Sequence, residues 1–460
     1  MSSITERLSE FAASLDYDQI PSEVSTRAKQ LLLDITGISL RGLNDTESTE
    51  PMRKTLARLG LASGDSIVIG DAGGYAPTAA ALLNGASAHS LDFDDTHAAG
   101  SIHSSAPIVP AALAAAQMAN ANGKDLVAGI VAGYEIQIRL SLALEPKRHY
   151  ERGFHPTATC GTFGAAAAAG RVLGLDAATI ASALGICGSQ AAGSMQFLSD
   201  GAWNKRFHVG QAAANGLLSA SLAADGYVGA SEPIEGKAGF LHAYSPSPEP
   251  KLAVKALGEH WETLALAVKP YPSCRYSHAA LDGVFELRAE HSIQPEEVEA
   301  VEIGLSQTGC NIIGDPIGDK HSPKSVVDGQ FSMPFCTAVA LREGRMAWDD
   351  YAKHLSDVDT LALCRKVTTM VDDKVEAEFP AQMSGSVRIK TSRGTFETFV
   401  RIPKGEPENF LSDEEMRDKF DALVAPYLSE DQTDNLAESL LNIEQQNNVT
   451  TLFGMTRPEA

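Results

Sequence analysis

A chain of 460 residues with a net charge of −22 offers no electrostatic basis for gripping nucleic acid or an anionic membrane, since both need clustered Lys and Arg. With 44% hydrophobic but only 6% aromatic residues, the core must be built from Ala, Val, Leu and Ile, which suits closely packed helices. The length suggests about two or three domains. No run of roughly 18 or more apolar residues predicts a membrane span, and the polar, acidic start does not read as a signal peptide. Six cysteines without a CxxC pair read as reduced thiols of a cytoplasmic protein.

Up to residue 264 the pattern predicts helices. Ala28, Leu31, Leu32 and Ile35 recur at helical spacing, and residues 79–88 form a small-residue apolar run. Residues 111–118, 127–142, 161–173, 177–185 and 211–224 continue the pattern. Many of their contact positions are Ala, Gly or Ser, which lets helix axes approach closely. Gly123, Gly174 and Gly226 stand where C-caps would fall. The character changes after Lys269. Residues 297–305 alternate as a strand, and 387–391 with 395–402 flank Ser392, Arg393 and Gly394 as a hairpin. Helices are expected near 279–290, 331–343, 347–355 and 357–366. Ser412 with Glu415, and Ser429 with Gln432, make two capping-box patterns that open C-terminal helices. The expected fold is mainly α with a smaller α+β domain: a helical domain over 1–264, rejoined by 409–460, and an α+β domain over 265–408.

Chemistry concentrates in a few places. Asp92, Asp94, Asp95, Thr96, His97 and His103 crowd the stretch that follows the 79–88 run. Acids and bases at the edge of a core are costly unless paired, so they raise the odds of a site over a solvated loop. His155 precedes a helix start rich in Thr and Ala, where free N–H groups favour an anion. Lys205 and Arg206 open another small-residue helix, beside Trp203, Phe207 and His208. Cations there can clamp carboxylates. Lys269, Cys274, Arg275 and His278 lie on a proline-stiffened segment at the expected domain junction. There is no GxGxxG, Walker loop, GxSxG or HExxH, so nucleotide, nicotinamide and serine-hydrolase readings have no support. Bases, acids and carboxylate-binding cations together suit proton abstraction next to a carboxylate.

The segments HSLDFDDT (89–96), GFHPTATCGTFGAAAAAG (153–170), NKRFHVGQAAANG (204–216), KPYPSCRYSHAALDG (269–283) and GQFS (329–332) resemble, in this order and spacing, the MmgE/PrpD family. That family includes 2-methylcitrate dehydratase, cis-aconitate decarboxylase and iminodisuccinate epimerase. The resemblance implies a large all-helical domain, a smaller α+β lid domain, a homodimer and a cofactor-free, metal-free site between the domains. Carried over position by position, Asp92 and Thr96 match the first Asp and the Thr of the DFDDT motif. His103 matches the histidine just beyond it, His155 the histidine of the His-Pro pair, and Lys205 the lysine before the helix. These five are the expected catalytic residues. Lys269 matches the lysine opening the junction motif, and Cys274, Arg275, His278 and Arg206 join it as expected substrate-binding residues. Cys274 stands where the decarboxylase branch has a histidine. The Pro-Ser-Cys run followed by His278 is more similar to the epimerase branch.

The implied activity is that of a lyase, a dehydratase or decarboxylase acting on a small di- or tricarboxylate. In it His155 or His103 acts as base or acid, Asp92 orients one histidine, and Lys205, Arg275 and Lys269 hold carboxylates. An epimerase or isomerase of a dicarboxylate such as iminodisuccinate is the alternative. It needs two acid–base groups on opposite faces of one carbon and no leaving group. A metal-dependent hydrolase built on Asp92, Asp94, Asp95, His97 and His103 is a remote third. A non-catalytic binding or regulatory protein is the last.

Overall fold

The computed structural model describes residues 2–199 and 201–457; Met1 and residues 458–460, the extreme ends of the expected helical domain, lie outside the described residues, as does Asp200. The chain forms two compact units. One comprises Met1–Val268 with Ser412–Ala460, the other Lys269–Leu411. The borders fall a few residues beyond the expected 264/265 and 408/409. Leu266 and Ala267 stay with the first unit because they pair antiparallel with His97 and Thr96.

The first unit is helical. Its centre is the Pro156–Val172 helix, buried along nearly its whole length, with the Gly123–Leu144, Ser105–Ala119 and Asn204–Ala224 helices packed around it. Small residues make this possible. A Cβ on Gly210 would sit 2.2 Å from Leu82 O, and one on Gly85 would sit 2.8 Å from Gly210 Cα. The Pro77–Ala88 and Asn204–Ala224 helices therefore touch backbone to backbone, a spacing that any side chain there would force apart. The Gly123–Leu144 helix is long and apolar enough to cross a membrane, yet 94% of its most apolar stretch is buried in the protein. It also carries the buried pair Glu135–Arg139 at 3.0 Å, with Glu135 accepting from Thr263 N and Oγ1. It is a core helix.

Cap chemistry follows the sequence at most ends. Gly174 and Gly226 have φ of 69° and 89° just past helix ends. Gly123 does not cap. It opens the Gly123–Leu144 helix, capped by Asn122, and the preceding helix ends instead on left-handed Asn120. Both C-terminal capping boxes form, at Ser412/Glu415 and Ser429/Gln432. The helices they open return to the Ser22–Asp45 helix.

The second unit is a four-stranded sheet in the order Val367–Val371, Val298–Leu305, Gly385–Thr391, Gly394–Val400. The first pair is parallel and the others antiparallel. Val387 and Ile389 point into the core while Arg388 and Lys390 point out, the period-2 signal of a half-buried strand. The His278–His291 and Met333–Glu343 helices bury their apolar faces with this core. Strand Val367–Val371 was not anticipated. Only Val367 of it is buried, so it carries no alternation.

Candidate functional site

The acidic stretch leaves the C-cap of the Pro77–Ala88 helix at His89 and turns sharply at Asp92, whose φ is 52°. Asp tolerates this left-handed conformation better than bulkier residues. The turn sends consecutive carboxylates in different directions. Asp92 Oδ1 lies 2.8 Å from Lys205 Nζ. Asp94 is fully buried: its Oδ2 is 2.7 Å from His89 Nδ1 and at ion-pair distance, 3.2 Å, from His103 Nδ1. Asp95 accepts from Ser105 N at 3.0 Å and Ser104 N at 3.2 Å, satisfying open donors at the start of the Ser105–Ala119 helix. Thr96 and His97 form the short ladder with Leu266 and Ala267. His97 Nδ1 accepts from Gly100 N, and its Nε2 faces Glu262 at 3.4 Å.

Gln137 ties the two histidine segments together. Its Nε2 donates to His103 O and to Thr157 O, while Thr157 Oγ1 accepts from His103 N. His155 precedes the Pro156–Val172 helix and donates its N–H to Gly193 O at 2.8 Å. The rings of His103, His89, His155 and His208 follow one another at centroid distances of 4.6, 5.9 and 6.0 Å. Nδ1 of His155 is buried and has no hydrogen-bond partner among the described residues.

Electrostatics differentiates these groups. Burial, reinforced by the charges of His89 and Lys205, holds the His155 imidazole well below its usual value. Burial likewise takes His89 down to about 4. Burial would raise the Asp94 carboxyl, but His103 and His89 beside it hold it well below the carboxylate range. Burial opposes the charge on Lys205, yet Asp92 holds its ammonium above the usual lysine value. The cluster thus sets a neutral imidazole near a persistent cation and a persistent carboxylate. Arg206 donates through Nη1 to Ser48 Oγ at 3.0 Å, and the charges of Glu47 and Asp92 act on its guanidinium.

In the second unit, Lys269 and Cys274 are buried, and Cys274 N donates to Gln330 O. His278 Nε2 is 3.2 Å from Ser273 O, and its ring meets Tyr271 edge-on. Arg275 is held by both oxygens of Glu406, so its guanidinium is already matched by a carboxylate and does not stand as an open clamp.

The five residues of the expected metal set do not converge. Asp92 goes to Lys205, Asp95 to a helix start and His97 towards Glu262. Donor atoms of His89, Asp94 and His103 do lie within 4.8 Å of one another, a donor set that suits a divalent cation. The positive charge of Lys205 acts on the same cluster and opposes such an ion. A second group, Glu343, Asp350 and His354, is matched by Lys353 and Arg345.

Residues 6–253 match the MmgE/PrpD N-terminal domain and residues 271–445 the MmgE/PrpD C-terminal domain. The chain belongs to the MmgE/PrpD family. Curated relatives cover it end to end. A cis-aconitate decarboxylase-like protein, oryM, of Aspergillus oryzae is 28% identical over 99% of this chain and 98% of its own length. The cis-aconitate decarboxylase of Aspergillus terreus is 27% identical over 98% of this chain and 95% of its own. The human cis-aconitate decarboxylase is 26% identical over 100% and 96%.

In this MmgE/PrpD chain the first unit brings together Asp92, Lys205, His103 and His155, with Thr96 on the adjoining ladder. Sequence reasoning gave Asp92 the task of orienting a histidine. The structure gives that contact to Asp94, and Asp92 to Lys205. His89 was missed. Its only signal was a polar ring at the end of an apolar helix, five residues before Asp94.

Two consequences are measurable. Lys419, on the returning Asp413–Val424 helix, lies 2.6 Å from Asp34 Oδ1, donates to Phe93 O and covers the Phe93 ring at 3.9 Å. It pins the acidic turn from behind. Lys419→Met leaves buried Asp34 without its cation and is expected to cost about 3 kcal/mol in urea unfolding, as for breaking a buried pair. Asp95 is raised to about 7 by burial and by Asp94. Its native pKa exceeds the unfolded value, so the contribution of Asp95 to stability is complete below about pH 4 and is lost as pH rises to about 7. Asp95→Asn lacks this loss. Its stability relative to wild type should climb over that window, by at most about 1.4 kcal/mol per pH unit, in denaturation series at fixed pH values.

Proposed function

We propose that this chain is a cofactor-independent lyase that removes carbon dioxide or water from a small di- or tricarboxylic acid of the aconitate or methylcitrate type. The observation that carries this reading is the neutral imidazole of His155 set near the charged Lys205–Asp92 pair, in a chain of this family. An imidazole kept neutral has a lone pair to accept a proton, and an ammonium kept charged can hold a carboxylate and the negative charge that develops on it.

In a dehydration, His155 takes the proton from the carbon next to a carboxylate. The electron pair moves into an enolate stabilised by Lys205, and the leaving hydroxyl takes a proton from His103 and departs as water. In a decarboxylation, carbon dioxide leaves and the electron pair it leaves behind spreads over the neighbouring double bond. A histidine then protonates the terminal carbon. Asp92 keeps Lys205 charged and aimed. From the second unit, Lys269, Cys274 and His278 remain candidates for substrate contact.

An epimerase uses the same first step, and the Cys274–His278 pattern is the feature that favours it. Aconitate-like, citrate-like and aspartate-derived acids, each incubated before and after exhaustive chelation, test the reading. Release of carbon dioxide or water that survives chelation supports it and eliminates the metal-dependent hydrolase. Turnover lost on chelation and restored by a divalent cation refutes it.

The family also suggests a homodimer. Trp203, at the N-cap of the Asn204–Ala224 helix, and Phe207 and Leu218 within it remain 44%, 44% and 41% exposed, apolar surface suited to a second copy. Light scattering should return twice the 48.7 kDa chain mass; a monomer at micromolar concentration contradicts this. Six buried thiols are consistent with a reducing, cytoplasmic setting.

A further inference from the structure

We propose that Asp94 and His89 form a buried positioning pair that locks His103 in the tautomer needed for proton transfer. The inference rests on the reading above, in which His103 exchanges a proton with substrate. It concerns His89, which carries no expected role, and Asp94, which entered only the expected metal set.

The geometry is specific. Asp94 has no exposed surface, and one oxygen, Oδ2, faces Nδ1 of both His89 and His103, at 2.7 and 3.2 Å. An ionised carboxylate can only accept, so a ring nitrogen that faces it carries a proton rather than a lone pair: His89 Nδ1 in a hydrogen bond, His103 Nδ1 at ion-pair distance. A neutral imidazole has one N–H. With Nδ1 protonated, Nε2 of His103 is the nitrogen left for exchange: it takes up a proton beside the Asp94 carboxylate and is then the group that hands it to the leaving hydroxyl. The His103 side chain keeps 15% exposure although its Nδ1 is buried, so that exposure falls on the rest of the ring.

His89 has a different place. Its side chain is completely buried, its Nδ1 is at hydrogen-bond distance from Asp94, and its Nε2 has no partner among the described residues. It meets His103 edge-on and stacks on His155. A wholly enclosed ring cannot touch substrate. It can fix where the Asp94 carboxylate points and where the His103 and His155 rings sit. Asp94 then acts on His103 as the buried aspartate acts on the histidine of a serine-protease triad: it selects tautomer and orientation without itself taking a proton.

The test uses the full chain labelled with 15N-histidine, with His103 assigned through His103→Gln. Long-range proton–nitrogen spectra should show His103 and His89 as the Nδ1–H tautomer, and Asp94→Asn should convert at least one of them to a mixture. In turnover of the best acid from the panel above, Asp94→Asn should lower kcat about 10²-fold or more, with KM within about threefold. His89→Gln, whose amide can still donate to Asp94, should stay within about tenfold of wild type. His89→Leu should fall as far as Asp94→Asn. A merely structural role would lower melting temperature and yield, leave kcat per folded molecule unchanged, and give no advantage to Gln over Leu. A wild-type His103 found as the Nε2–H tautomer, or bound to metal through Nδ1, overturns the proposal whatever the substrate is. If no acid turns over while His103 shows Nδ1–H and Asp94→Asn disturbs it, the functional reading fails and the positioning pair stands.

Discussion

Replacing His155 by alanine is expected to lower kcat at least about 10²-fold, the usual contribution of a positioned general base. The expectation rests on its environment. His155 is enclosed, its Nδ1 lacks a partner among the described residues, and burial with the nearby charges of His89 and Lys205 keeps the ring neutral well below the usual histidine range. A base whose pKa is depressed stays competent as pH falls, so the acid limb of the wild-type rate profile should not reflect an ordinary histidine near 6.5. The same depression has a stability consequence. The unfolded chain binds a proton on this residue below about pH 6.5 and the native chain does not, so the contribution of His155 to stability is complete above that value and is lost as pH falls. His155→Gln should therefore be less acid-sensitive than wild type in unfolding experiments while remaining as slow as His155→Ala. Near-normal turnover in both variants refutes the site.

The second large effect is expected at Lys205. Lys205→Met keeps the length of the side chain and removes its charge, and it should lower kcat/KM at least about 10²-fold. Two losses combine there: the cation for the substrate, and the partner of Asp92, which sits in a left-handed turn. The double variant Lys205→Met with Asp92→Asn separates them. With the charge of Asp92 removed along with that of Lys205, it should recover thermal stability lost in the single variant, while turnover stays low. Lys205→Arg should not restore full activity, because a planar fork cannot replace a compact ammonium at one fixed point. Recovery of turnover in the double variant would mean that Lys205 only neutralises Asp92.

The helical unit was legible in the sequence because its physics is local and repetitive. Alanine and glycine recur at helical spacing, and the contacts at Gly85, Gly210 and Gly164 are the close approaches such composition implies. The capping boxes at Ser412 and Ser429 announced the returning helices that deliver Lys419 to the acidic turn. Strand Val367–Val371 was silent because an edge strand with one buried residue needs no alternation. The acidic turn was legible as a site but not in its wiring. Asp92, Asp94 and Asp95 are nearly adjacent, and a single residue with positive φ redirects each of them to a different partner. No spacing rule anticipates that rotation, which is why Asp92 was paired with a histidine on paper and with Lys205 in the fold. Arg275 shows the same limit from the other side. Its charge was readable, but its bidentate partner Glu406 lies 131 positions away.

The lyase assignment meets its most direct test when the purified full-length chain turns over the panel of acids in deuterium oxide, followed by proton and carbon NMR. One acid should disappear with stoichiometric loss of carbon dioxide or water, yielding an unsaturated product, and His155→Ala and Lys205→Met should abolish that conversion. Solvent deuterium entering a recovered acid with inverted configuration, and nothing lost, would contradict it and establish an epimerase instead.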